Sequence, residues 1–77
     1  MILIVEDSIF NQKFLSMILS SQGYKYKVAD NGRDAVELSL EEKFDLILMD
    51  IEMPIMNGIE ASEKIRHRNN QNYNTPI

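Results

Sequence analysis

Carboxylates follow the two most apolar segments of this 77-residue chain. The run Ile2–Val5 is followed directly by Glu6 and Asp7, and the run Leu46–Met49 is followed by Asp50. Short, continuous apolar runs that end in polar residues are typical of strands buried on both faces of a parallel sheet. Ligands bind to such sheets outside the carboxyl ends of the strands. The three carboxylates therefore stand where a site is expected.

Three carboxylates at the ends of two neighbouring strands repel one another, because adjacent strands lie only about 4.8 Å apart. A hard divalent cation relieves this repulsion, and Mg²⁺ favours one or two carboxylates together with water and a substrate phosphate. The pattern therefore predicts a Mg²⁺ site that also handles phosphoryl groups. The plainer alternative is that acids at strand ends only cap helices and hydrate the rim of the sheet. It is less favoured, because both apolar strands end in acids independently.

Segments of helical period separate the strands that must position these acids. One apolar set recurs at spacings of three and four: Phe10, Phe14, Met17 and Ile18. This spacing predicts an amphipathic helix whose Phe and Met side chains belong to the core. A second helix is expected after the turn at 30–32, and a third from Gly58 to His67. With a lysine-bearing edge strand at 24–28, the order becomes β-α-β-α-β-α, which is typical of a parallel sheet with helices on both faces.

Composition excludes several other kinds of protein. The formal net charge is −4, which argues against direct nucleic-acid binding, because phosphate backbones need clustered Lys and Arg. The chain has no cysteine, so disulfides and thiolate metal sites are absent. No apolar run is long enough for membrane insertion, and Glu6 and Asp7 interrupt the first run too early for a signal peptide. A cytoplasmic location is therefore expected.

Five segments occur in an order and at spacings that are characteristic in combination: Ile4–Ser8, Ala29–Gly32, Asp45–Asp50, Met53–Gly58 and Ile65-Arg66. In this combination the chain resembles the receiver domain of response regulators, which act in two-component signalling, over nearly all of its length. The resemblance implies an α/β, flavodoxin-like fold with a parallel sheet in the order 2-1-3 and a single domain over residues 1–77. Asn11 and Gln12 after the acidic pair are most similar to receivers attached to hybrid sensor kinases.

The resemblance also implies a role for each acidic residue. Asp50 would be the phosphoacceptor and would receive a phosphoryl group from a histidine kinase or a histidine phosphotransfer protein. Asp7 would ligate Mg²⁺ directly, and Glu6 would act through a bound water. The backbone carbonyl of Glu52 would be a third protein ligand. Such a domain is a phosphoprotein that becomes labelled itself, so we expect no enzyme in the ordinary sense.

The C-terminal end of the chain departs from the family. Receivers run to about 120 residues, whereas Thr75–Ile77 look like the start of a fourth strand. The domain is therefore predicted to be incomplete at its C-terminus, and the family's switch Ser or Thr and its phosphate-binding Lys have no counterpart here. Metal binding is expected to survive their absence, and efficient phosphorylation is not. The third strand is apolar on both faces, which is typical of a strand with a neighbour on each side. Its outer edge is therefore predicted to pair with residues beyond Ile77 or with a second chain, as in a dimer.

Three alternatives compete with this interpretation. Asp50, Ile51 and Glu52 after an apolar strand also resemble the nucleophile motif of haloacid-dehalogenase-type phosphatases, but that motif needs a second Asp at position 52 and makes no use of an acidic pair near the N-terminus. A truncated receiver that acts only as an interaction module is the second alternative. A phosphotransfer role for His67 is the third. It is disfavoured, because a histidine beside two arginines at a helix C-terminus is typical of a solvated position.

Overall fold

The computed structural model of the chain describes residues 1–77 as three parallel strands and three helices. The elements are β1 (Ile2–Val5), α1 (Ile9–Ser21), β2 (Tyr26–Ala29), α2 (Gly32–Glu41), β3 (Leu46–Met49) and α3 (Gly58–Ile65). The sheet order β2-β1-β3 confirms the flavodoxin-like arrangement predicted from the sequence. The third helix ends at Ile65 rather than at His67. None of the helices has the length and hydropathy needed to cross a bilayer.

The register of the sheet aligns the carboxyl ends of its strands. Val5, the last residue of β1, lies opposite Ala29 of β2 on one side and Met49 of β3 on the other. All three strands therefore end at the same level, and an acidic residue follows each of them along one edge of the sheet. This alignment allows carboxylates that are 44 positions apart in the chain to meet.

Alternate residues of the central strand face two separate cores. Leu3 and Val5 lie in a cluster with Phe44, Ile47 and residues of α2 and α3. Ile2 and Ile4 lie in a second cluster on the opposite face, where α1 contributes Leu19. Helices therefore cover both faces of the sheet, as the alternation of elements predicts.

The apolar stripe predicted for the inner side of α1 is exposed, so that prediction was wrong. Its exposed fractions are 79% for Phe10, 53% for Phe14, 64% for Met17 and 42% for Ile18. The helix instead packs on the sheet through Leu15 and Leu19, which are four residues apart and share one side of the helix. Because α1 carries apolar residues on two sides, its periodicity alone does not identify the side that packs.

The polar segment after α3 contains one of the most deeply buried side chains of the protein. Asn72 is fully buried, and its Oδ1 accepts hydrogen bonds from the Phe44 backbone N (2.7 Å) and from Thr75 Oγ1 (2.9 Å). Its Nδ2 donates to the backbone oxygens of Ser39 (2.6 Å) and Glu42 (2.7 Å). These two carbonyls belong to the C-terminal end of α2, where helical partners are lacking. Asn72 therefore caps α2 and fixes the final segment to the start of β3.

The outer edge of β3 is bounded by the last residues of the chain. The backbone N of Ile47 donates to the carbonyl of Pro76 (2.9 Å). A groove of about 670 Å³ lies between β3 and α3 and is lined in part by Ile51, Ile59 and Ile77. The final residues thus reach the edge that was predicted to need a neighbour. Pairing of this edge with a further strand or with a second chain stays a prediction.

Candidate functional site

Three carboxylates converge at the carboxyl edge of the sheet. One carboxylate oxygen from each of Glu6, Asp7 and Asp50 lies within 4.8 Å of the other two. The two salt bridges of the chain, from the Met1 ammonium to Asp45 and from Lys27 to Glu42, both lie elsewhere. The cluster therefore carries negative charge that no cationic side chain compensates.

Glu6 is the buried member of the cluster, with only 8% of its surface exposed. Its Oε1 accepts hydrogen bonds from Asn11 Nδ2 (2.9 Å) and from the backbone N of Ser8 (3.4 Å). Its backbone oxygen accepts from Gln12 Nε2 (2.6 Å). The residue is therefore held at both its side chain and its backbone.

Asp7 and Asp50 face the solvent to different degrees. Asp7 is exposed, and Asp50 is half-buried. The backbone N of Asp50 donates to the Val5 carbonyl (2.9 Å), which extends the β1–β3 ladder by one bond. The Asp50 Oδ1 accepts from the backbone N of Glu52 at 3.4 Å. The exposed Glu52 side chain is not part of the cluster, and the ligand role of its carbonyl stays a prediction.

Two glycines fix the loop that follows Asp50. The backbone N of Gly58 donates to the Ile51 carbonyl (2.7 Å), and a Cβ at this position would overlap the carbonyl of Asp50. The backbone N of Gly32 at the start of α2 donates to the Met56 carbonyl (3.0 Å), which a Cβ would also overlap. The resemblance to receivers draws attention to Gly58 as the entry to α3, and the structure shows that close backbone approach is what requires it.

Ile55 stands at the centre of this loop in a left-handed conformation, with φ +72°. The backbone N of Met56 donates to the Pro54 carbonyl (2.8 Å), so that three residues form a tight turn around Ile55. A positive φ near this value belongs to the rare, strained form of the γ-turn. A β-branched residue is especially unfavourable there, so the loop beside Asp50 stores backbone strain.

Asn11 and Gln12 contact the site, although sequence reasoning did not assign them to it. Both lie in the first turn and a half of the helix that follows Glu6 and Asp7. Gln12 Nε2 donates not only to the Glu6 carbonyl but also to Asp30 Oδ1 (3.0 Å). The signal that could have identified them is a pair of amide side chains in the helix that begins shortly after a strand ending in acids. His67, by contrast, is exposed in the turn after α3.

Comparison with known proteins identifies the family to which this arrangement belongs. The family model described as "Response regulator receiver domain" matches residues 2–77. The chain belongs to this family of receiver domains. A similar relative is the response regulator sskA of Aspergillus fumigatus, which is 46% identical over 84% of this chain. The chain spans only 8% of the length of that relative.

Solved receiver structures share the fold. A crystal structure of the receiver domain of sensor histidine kinase PA1611 from Pseudomonas aeruginosa, with a magnesium ion coordinated in its active-site cleft, has a TM-score of 0.87 and 36% identity and covers 91% of this chain. The receiver domain of Saccharomyces cerevisiae Ssk1, in a co-crystal with the histidine phosphotransfer protein Ypd1, has a TM-score of 0.82 and 43% identity and covers 84%. This chain spans 57% and 45% of the two matched chains. It is therefore a receiver domain of two-component signalling.

Proposed function

We propose that this receiver domain accepts a phosphoryl group on Asp50 and that Glu6, Asp7, Asp50 and the backbone carbonyl of Glu52 hold Mg²⁺. The observation that most supports this is the convergence of three carboxylate oxygens within 4.8 Å of one another, with no cationic side chain paired to them. Oxygen ligands of this kind, from few carboxylates, suit Mg²⁺. Asp7 and Asp50 would ligate the metal directly, and the more deeply buried Glu6 would act through a bound water.

Asp50 is the nucleophile in this proposal. One of its carboxylate oxygens attacks phosphorus in line as the bond from phosphorus to the histidine nitrogen breaks. The donor imidazole, which carries a proton on its other ring nitrogen, leaves as neutral histidine, and an acyl phosphate remains on Asp50. Mg²⁺, when bound, neutralises charge on the transferring group. The backbone bond from Asp50 to Val5 anchors the nucleophile to the central strand. Because the domain keeps the phosphoryl group as a signal, it acts as a phosphoprotein and not as a turnover enzyme.

The donor in this proposal is a phosphohistidine on a histidine kinase or a histidine phosphotransfer protein. The complex of the Ssk1 receiver with Ypd1 supports a partner of this class, because that receiver is 43% identical to the present chain. The acidic composition of the chain gives no support to direct nucleic-acid binding. A cytoplasmic location belongs to the same proposal.

Intact mass spectrometry and calorimetry test the proposal on the 77-residue chain. The wild type is incubated with Mg²⁺ and a small phosphodonor such as acetyl phosphate, beside Asp50→Asn and the matched control Asp45→Asn, which removes a carboxylate just before β3 at the opposite edge of the sheet. We expect Mg²⁺ binding in the wild type and in D45N and weaker binding in D50N. Labelling should be inefficient without a counterpart of the family's phosphate-binding Lys, and any phosphoryl mass should appear only on proteins that keep Asp50. Phosphoryl mass on D50N, or equal Mg²⁺ affinity in all three proteins, would contradict the proposal.

The same experiment separates the alternatives. Mg²⁺ binding without labelling would agree with a receiver whose phosphoryl transfer needs a cationic group that these 77 residues lack. Neither binding nor labelling in a folded chain would favour an interaction module. Continuous release of phosphate from the donor, without labelled protein, would favour the phosphohydrolase. The family membership favours the receiver over that hydrolase.

A further inference from the structure

Both hydrogen bonds to the Glu6 carboxylate end on the same oxygen. Asn11 Nδ2 and the backbone N of Ser8 donate to Oε1, and no group of the chain donates to Oε2. No buried side-chain oxygen lacks a partner in this protein, so Oε2 must be open to solvent. The two oxygens of this carboxylate are therefore unequal: one is anchored to α1, and the other is free to hold a water.

The position of Asn11 explains why an amide performs this anchoring. Ser8 is the N-cap of α1, and its Oγ accepts from the Asn11 backbone N (3.3 Å). Asn11 is thus the third residue of the helix, where a capping-box side chain would turn back to the N-cap. Here the side chain reaches past the N-cap to Glu6, and the backbone N of Ser8 points to the same carboxylate. A carboxylate at position 11 would repel Glu6, whereas an amide donates to it.

Gln12 fixes the backbone of the same residue. Its Nε2 donates both to the Glu6 carbonyl (2.6 Å) and to Asp30 Oδ1 (3.0 Å). One side chain thereby joins the residue after β1 to the residue after β2. The Asp30 carboxylate is engaged by this bond and does not belong to the three-carboxylate cluster.

We infer that Asn11 and Gln12 are positioning residues for the Mg²⁺ site. Asn11 holds Oε1 of Glu6 so that Oε2 remains for the metal-bound water, and Gln12 holds the backbone from which Glu6 and Asp7 extend. This inference rests on the proposed function and deepens it. Removal of a residue that orients a metal ligand typically lowers metal affinity by about 10–100-fold. We expect the lower end of this range, about tenfold, because Glu6 acts through a water.

A calorimetric titration of the 77-residue chain with Mg²⁺ tests the inference. The variants are Asn11→Leu, which keeps a similar size without the donor, and Gln12→Met, which does the same one residue later. Ser16→Ala is the matched control, because its hydroxyl bonds only to the Lys13 carbonyl on the same helix. We expect N11L to bind Mg²⁺ about tenfold more weakly, Q12M to weaken in the same direction, and S16A to match the wild type. Circular dichroism checks that each variant is folded, and Asn11→Ala replaces N11L if the leucine prevents folding.

A double-mutant cycle distinguishes positioning from general support of the fold. In a Glu6→Gln background the carboxylate that Asn11 orients is gone, so N11L should cause little further loss of Mg²⁺ affinity. An equal loss in both backgrounds would overturn the inference, as would wild-type affinity in N11L. A wild-type chain that binds no Mg²⁺ would overturn the proposed function as well, so the failure of the metal site and the failure of this inference give different results.

Discussion

Replacement of Asn72 by alanine removes four hydrogen bonds from a fully buried position. A typical intramolecular hydrogen bond contributes about 1 kcal/mol net, which gives about 4 kcal/mol for the four. Water that enters the vacated space replaces some of these hydrogen bonds. We therefore expect Asn72→Ala to lower the free energy of unfolding by about 2–4 kcal/mol. A chain of this length has a total stability of roughly 4–12 kcal/mol. The substitution therefore removes a large share of it.

Urea denaturation followed by circular dichroism measures this loss. With an m-value of about 1 kcal/mol per molar urea for a small domain, the midpoint should fall by roughly 2 M or more. Asn74→Ala is the matched control. Asn74 is exposed, and its side chain accepts one hydrogen bond, from Lys43 Nζ, so the midpoint should hardly change. A loss below about 1 kcal/mol for Asn72→Ala would refute the account of Asn72 as the cap of α2.

Two further predictions concern the loop after β3 and the residue just before that strand. Ile55→Gly should stabilise the chain by about 0.5–1 kcal/mol, because relief of the left-handed conformation exceeds the entropic cost of glycine. The control Ile51→Gly, at a similarly exposed loop position without positive φ, should destabilise the chain. The reverse order of urea midpoints would contradict the strain at Ile55. The second prediction concerns Asp45: the Met1 ammonium, 2.8 Å away, holds the pKa of that carboxyl below its usual value. Since the folded-state pKa is the lower one, the pair stabilises the fold above about pH 4 and loses this effect as the pH falls through the depressed value. The difference in urea midpoint between wild type and Asp45→Asn should therefore disappear in acid, and a constant difference would count against the pair.

The two apolar strands were predictable because their signals are local, whereas the order of the sheet was predicted from the resemblance to receivers. Ile2–Val5 and Leu46–Met49 are short apolar runs that end in acids, and both are strands with the predicted bounds. Residues after such strands share one edge once the sheet is parallel, so the meeting of Glu6, Asp7 and Asp50 needed no knowledge of side-chain contacts.

The features that were missed depend on packing between distant segments. Phe10 and Phe14 have helical spacing, but Leu15 and Leu19 offer a second apolar side, and only the sheet decides between them. Asn72 lies in a polar, turn-like stretch, and its burial depends on the C-terminal end of α2, some 30 residues away in the chain. Composition of the segment gives no sign of this.

Two further features, one of the backbone and one of a side chain, were not predictable from residue types. Nothing about Ile55 in the sequence indicates a positive φ, because β-branched residues rarely adopt one. The anchoring of Glu6 by Asn11 depends on the direction in which the first turn of α1 presents that amide. The identity of the neighbouring residues does not determine this direction. The resemblance to the family therefore identifies the acidic residues but does not show that Asn11 and Gln12 hold Glu6 in place.

The two close-packed glycines have a mechanical consequence for signalling. Gly58 joins α3 directly to the end of β3, and Gly32 joins the start of α2 to Met56. The backbone of the loop is thus held at Ile51 and at Met56, and the strained residue Ile55 lies between these two points. If Asp50 is phosphorylated as proposed, the change of charge would act next to this stretch, while the close contact at Gly58 would keep the start of α3 against the residues that follow β3.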